Sequence, residues 1–179
     1  IAFFMLSRIK HALWGDLTKD EVKKFGMLSF TFLFIIGTYW LMRPLKDGLF
    51  MDLVGPASLP YAKMLSFAFI VPLILFYSKL VDLVEKQKLF YVLCTIYGIL
   101  FAGVAFLLAQ PAFALNGPST PAKRMLGWCV YLAIESFGSL LVTLFWSFVA
   151  SSTDTTSAKR GYALIISGAQ IGSITGPYL

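Results

Sequence analysis

The chain has 179 residues, of which 58% are hydrophobic and only 13% charged, and its mean hydropathy is +0.78. A soluble domain is nearer half apolar and a quarter charged, so a soluble fold is excluded and apolar runs approaching ~20 residues predict an all-α, polytopic membrane protein. The net charge of +6 does not point to nucleic acid, because the basic residues gather in short segments between the apolar runs.

Residues 1–24 read as an interfacial, amphipathic N-terminal segment: apolar residues alternate with Arg8, Lys10 and His11, the single histidine. Residues 1–6 are too short for the apolar core of a signal peptide. Thr18-Lys19-Asp20-Glu21 fits a capping box, with Thr18 at the N-cap and Glu21 reaching back. A transmembrane bundle over 25–179 follows, with about five spans at 25–51, 61–81, 89–110, 125–150 and 158–179. Pro72 predicts a kink in the second span. Pro56 and Pro60 mark a turn, 111–121 is a loop rich in Pro, Gly and Ser, and Asp154 or Ser157 is the expected cap of the fifth span. The first residue is Ile and the last run is still apolar, so the sequence is expected to be cut at both ends. With the N-terminus inside, ten basic residues fall on the inner side and Arg43, Lys46, Lys63, Lys123 and Arg124 on the outer, which favours a cytoplasmic N-terminus.

Charges inside the spans are the candidate functional residues, since one at the bilayer centre costs about 3 kcal/mol or more and is usually kept for an ion or substrate. The first span runs into Arg43-Pro44-Leu45-Lys46-Asp47. At 100° per residue Tyr39, Arg43 and Lys46 share a face, suited to an anion with a planar group, while Asp47 can orient either cation. Helix arithmetic sets Lys46 ~33 Å along from Lys24, about one hydrocarbon thickness, so an interfacial cluster is as good a reading. Glu135 lies ~15 Å into the fourth span, near the midplane, where a lone carboxylate must pair, protonate or line water. Ser139, Val142 and Trp146 share its face. A structural role, pairing with a base to join two helices, stays open for Glu135, and an interfacial anchor for Trp146. Gly168, Gly172 and Gly176, four apart, predict a smooth face for close helix packing. Cys94 and Cys129 are isolated, giving neither a disulfide framework nor a metal spacing. The chain carries no Walker A loop, paired metal ligands or Ser-His-Asp set, so an enzyme is disfavoured and neither metal nor cofactor is expected.

Several segments together resemble the non-mitochondrial ATP/ADP translocases of intracellular bacteria and plastids. They are Lys23-Lys24-Phe25, Leu41-Met42-Arg43-Pro44-Leu45-Lys46-Asp47, Tyr77-Ser78-Lys79-Leu80, Ile134-Glu135-Ser136-Phe137-Gly138-Ser139, Leu144-Phe145-Trp146-Ser147-Phe148 and Ala158-Lys159-Arg160-Gly161-Tyr162. The resemblance implies about twelve spans in a major-facilitator-like helical bundle, of which this chain is most of the N-terminal half. It implies exchange of ATP for ADP, with or without phosphate, by alternating access, in the multi-pass inner membrane of a bacterium ahead of a plastid inner envelope. The implied partners are ATP, ADP, phosphate, the lipid bilayer and the C-terminal half of the same transporter. The family's essential first-span Lys and fourth-span Glu match Lys46 and Glu135, which makes Glu135 the expected partner of Lys46 across the cavity, pairing with a cation in the empty carrier. Arg43, Tyr39, Trp146 and Gln170 complete the expected substrate-binding set, with Asp47 as an orienting residue. The sequence departs from the family at Gly161, where an aromatic is frequent, and at Gln170, where Asn is frequent. The alternatives are a proton-coupled carrier of another nucleotide or anionic metabolite, and a membrane scaffold subunit that transports nothing.

Overall fold

The computed structural model describes residues 18–110, 113 and 120–178. Residues 1–17 of the expected amphipathic segment, with His11, and most of the 111–121 loop lie outside them, while residues 19–24 of that segment form the start of the first helix. Five α-helices follow in order: α1 (Lys19–Leu53), α2 (Leu59–Leu83), α3 (Lys86–Ala109), α4 (Pro121–Ser152) and α5 (Thr155–Thr175), with single 3-10 turns at Pro56–Ser58 and Gly176–Tyr178.

Local chemistry sets the helix ends. The predicted capping box forms: the Thr18 amide donates to Glu21 Oε2 at 2.9 Å and the Glu21 amide to Thr18 Oγ1 at 3.3 Å. The α1–α2 corner turns at Gly55, whose φ of +112° is open to glycine and strained for other residues. The helix α4 starts four residues before the predicted span, because Thr120 Oγ1 accepts from the Lys123 amide at 3.3 Å and Pro121 occupies the first turn. Asp154 holds the N-cap position of α5 without a side-chain capping bond. Ser157 lies inside that helix and donates to Glu21 Oε1 at 2.7 Å, so it is not the cap. Pro44 and Pro72 both lie within helices.

Among the described residues, four segments are long and apolar enough to cross a membrane: Lys19–Leu53, Pro56–Leu83, Lys86–Ala109 and Pro121–Ser152. The fifth expected span is a helix, but α5 is not among the four. Its Ser, Thr, Gly, Gln and basic residues dilute the Leu and Ile content.

The chain divides into two compact units. One comprises Leu41–Leu144. Its core joins the end of α1, the start of α2 and the first half of α4 through Phe50, Ala62 and Tyr131, with Val54, Leu59 and Trp128 packed around them. Phe50 meets Trp128 at 5.0 Å and Tyr131 at 5.1 Å between centroids. Gly127 lets α4 approach the end of α1, since a Cβ there would sit 3.1 Å from the Leu53 Cβ. Contacts Leu53–Gly127 and Phe50–Tyr131 run in opposite senses along the two helices, so this part of α1 is antiparallel to α4. The helix α3 joins through Tyr97, which donates to Ser136 Oγ at 2.8 Å and packs on Phe137.

The other unit comprises Ile1–Trp40 and Phe145–Leu179. There Phe32 stacks on Phe145 at 4.3 Å, and Trp146 contacts Phe32, Phe145 and Tyr162 edge to face. The glycines of α5 meet α1 backbone to backbone: a Cβ on Gly172 would lie 3.0 Å from the Gly37 amide nitrogen, and one on Gly176 3.2 Å from the Gly37 Cα. Ser29 Oγ donates to the Leu164 carbonyl at 2.8 Å. Lys24 donates to the Ser152 carbonyl at the end of α4, where the helix dipole favours a cation.

Candidate functional site

Lys46 is buried, only 5% exposed, about two turns before the end of α1. Its ammonium forms an ion pair and hydrogen bond with Glu135 Oε1, close to the middle of α4. The pairing follows from helix register. Lys46 and Phe50 are one turn apart on α1, Tyr131 and Glu135 one turn apart on α4, and the Phe50–Tyr131 contact brings the two charged positions level. Lys46 is thus packed inside the helix pair, not on its outer surface. The helices are longer than the apolar runs, so distance from Lys24 does not measure depth.

The rest of the ammonium faces an aromatic ring: Lys46 Nζ stands 4.4 Å from the centroid of Tyr131, itself 1% exposed. This is cation–π distance, and the attraction is strongest where water is excluded. Asp47 Oδ1 lies 3.8 Å from Lys46 Nζ, too far for a hydrogen bond, and is buried without a hydrogen-bond partner. Its position beside the ammonium fits the orienting place expected of it. Glu135 is the more open member of the pair, with 22% of its side chain exposed against 6% for Lys46. From α2, the buried Ser66 donates to the Ala62 carbonyl at 2.7 Å, next to the Phe50–Ala62–Tyr131 core.

Of the expected residues, the structure brings together Lys46, Asp47 and Glu135. Arg43 is in the same unit, one turn before Asp47 on α1, and exposed. Tyr39, Trp146 and Gln170 belong to the other unit. Tyr39 is half-buried and packs its edge against Trp40 at 6.5 Å, Trp146 sits in the four-ring cluster, and Gln170 is exposed with its carbonyl accepting from Ser173 Oγ at 2.9 Å. Gly161 is buried under the ring of Phe25, which occupies the space a side chain would need. Tyr131 and Ser66 were not expected. Tyr131 carried a signal, standing one turn before Glu135 on the same face, whereas Ser66 carried none.

Chemically, the arrangement is a buried cation in contact with one carboxylate and one neutral ring, with a second carboxylate, Asp47, just beyond hydrogen-bond range. Such a cation can leave its carboxylate for a phosphate oxygen.

The family model described as TLC ATP/ADP transporter matches residues 4–178. The ADP,ATP carrier protein 1 of Rickettsia bellii is 28% identical over 89% of this chain and 36% of its own. The protein of the same name from Chlamydia trachomatis is 28% identical over 95% of this chain and 36% of its own. The plastidic ATP/ADP-transporter of Solanum tuberosum is 29% identical over 86% of this chain and 28% of its own. The chain thus spans about a third of the length of the curated relatives it matches. No solved structure matches.

Proposed function

The chain belongs to the TLC ATP/ADP transporter family, and from that premise we propose that the protein it represents exchanges ATP for ADP across a membrane by alternating access. The observation that carries this reading is the buried Lys46–Glu135 pair. A polyphosphate with about four negative charges needs cations in a dry site, yet an unopposed cluster of them would hold the nucleotide and stop turnover. Glu135 resolves the conflict: it neutralises Lys46 in the empty carrier and yields it to phosphate when nucleotide enters. Lysine suits this exchange because its ammonium is a compact point charge on a flexible stem, free to swap partners. Arg43, on the same helix, adds a forked phosphate contact, and Asp47 orients the Lys46 ammonium. Tyr39, Trp146 and Gln170 are assigned to the nucleotide, the two rings to its base. Phosphate is the further transported anion. The C-terminal half of the same transporter supplies the opposite wall, in the inner membrane of a bacterium and with the N-terminus in the cytoplasm.

The test is uptake of labelled ATP by liposomes that contain the full-length protein and are preloaded with ADP. Uptake is expected to require internal ADP and to be lost in Lys46→Ala. Uptake indifferent to internal nucleotide but driven by a pH gradient would replace exchange with proton coupling. Retained exchange in Lys46→Ala would remove the role given to that lysine.

A further inference from the structure

We propose that Tyr131 is a positioning residue for transport: its ring face holds the Lys46 ammonium in place while the anionic partner of that ammonium changes. The inference rests on the reading of Lys46 as a phosphate-holding group and deepens it.

An ammonium has three donors. Glu135 Oε1 takes one, and Asp47 stands beyond hydrogen-bond range at 3.8 Å. The Tyr131 ring lies 4.4 Å away, and both it and Lys46 are buried. The ring is also fixed. Phe50 of α1 meets it at 5.1 Å, Ala62 of α2 packs with it in the same buried cluster, and its own backbone is one turn from Glu135 on α4. Glu135 by contrast reaches the surface with 22% of its side chain. The carboxylate is therefore the replaceable partner and the ring the permanent one.

Chemistry gives the reason for a ring at this position. When Lys46 releases Glu135, a buried ammonium with no other support would be an unpaired charge in an apolar site, which is strongly unfavourable. Asp47, at 3.8 Å, offsets part of that charge without a hydrogen bond to the ammonium, and a second carboxylate in full contact would cancel the charge that attracts phosphate. An aromatic face stabilises the cation and leaves its net charge available. The ring thus raises the share of carriers whose ammonium is free to take a phosphate, and apparent affinity scales with that share.

The test replaces Tyr131 in the full-length protein by phenylalanine and by its mono-, di- and trifluorinated forms, then measures ADP-dependent ATP uptake in liposomes. Fluorine drains the negative potential of the ring face with little change in shape, so a space-filling role would not follow the series. With Tyr131→Phe as the reference of the series, the KM for ATP is expected to rise stepwise to about tenfold above it for the trifluorinated ring, with maximal rate little changed. Tyr131→Leu, a filler without a π face, is expected to lose at least as much. A flat KM across the series, a fully active Tyr131→Leu, or exchange already lost in Tyr131→Phe would each overturn the inference alone. Failure of the unsubstituted protein both to exchange and to bind labelled ATP would overturn the functional reading together with it.

Discussion

A lysine and a glutamate buried against each other stabilise a helix pair only while both are present. Removing one leaves an uncompensated charge, at a cost of about 3 kcal/mol where, as here, one partner keeps some contact with its surroundings. Replacing both by apolar residues of similar volume is often neutral or stabilising. We therefore expect Lys46→Met and Glu135→Leu each to lower the thermal unfolding midpoint of the detergent-solubilised protein. The double variant should recover most of that loss, and neither single nor double variants should exchange nucleotide. Full recovery of exchange in the double variant would make the pair a purely structural device, and absence of any recovery in stability would mean the two charges do not act as a pair. Both members were visible in the sequence as charges interrupting apolar runs. The resemblance also made Glu135 the expected partner of Lys46, but the register that joins them was not legible, because two helices that outrun the bilayer can slide against each other by several residues without changing either pattern. The aromatic contact Phe50–Tyr131 and the small Gly127 set the register. Those are features of a pair of helices, and neither helix alone states them.

Each element followed the apolar runs closely, since in a membrane a backbone must satisfy its own hydrogen bonds and a long apolar run has little choice but to be helical. The stripe of glycines on α5 was also legible, and its use is now specific: it seats α5 against α1 within the unit formed by Ile1–Trp40 and Phe145–Leu179. What the pattern left open was which helix it would meet, and that partner is set by Ser29, Leu33 and Gly37 of α1. At Gly172 a methyl group would meet only backbone, the Gly37 amide nitrogen at 3.0 Å and the Leu33 carbonyl carbon at 3.2 Å, and backbone cannot rotate away. Gly172→Ala is thus expected to destabilise the protein by about 1–3 kcal/mol, the usual range for overpacking. Gly98→Ala, in α3, is the contrasting substitution. Nothing lies within 4 Å of the added methyl, so the gain in helix propensity of up to about 1 kcal/mol should appear unopposed. Thermal unfolding of the two variants side by side checks both, and equal effects would refute the packing account of α5.

Orientation is a property of the whole molecule, and the basic residues near the span ends decide it. Counted over sequence alone, ten basic residues lie on the proposed cytoplasmic side and five on the other. Of those five, Lys46 and Lys123 are buried, at 5% and 3% exposed. Only Arg43, Lys63 and Arg124 remain exposed there. The loop-charge bias acts as the helices insert, before side chains pack, so the count of ten against five is what favours this orientation. The two short connections on either side of α2 offer a direct check. With Cys94 and Cys129 replaced by serine, Ala57→Cys places a thiol in the exposed Pro56–Ser58 turn and Gln87→Cys places one at the exposed start of α3. In intact bacterial cells a membrane-impermeant maleimide is expected to label the first and spare the second, and permeabilised cells should show both labelled. The reverse pattern would put the N-terminus outside. It would also turn the Lys46 end of α1 toward the cytoplasm, so that the pair with Glu135 would be approached first by nucleotide leaving the cell's own pool.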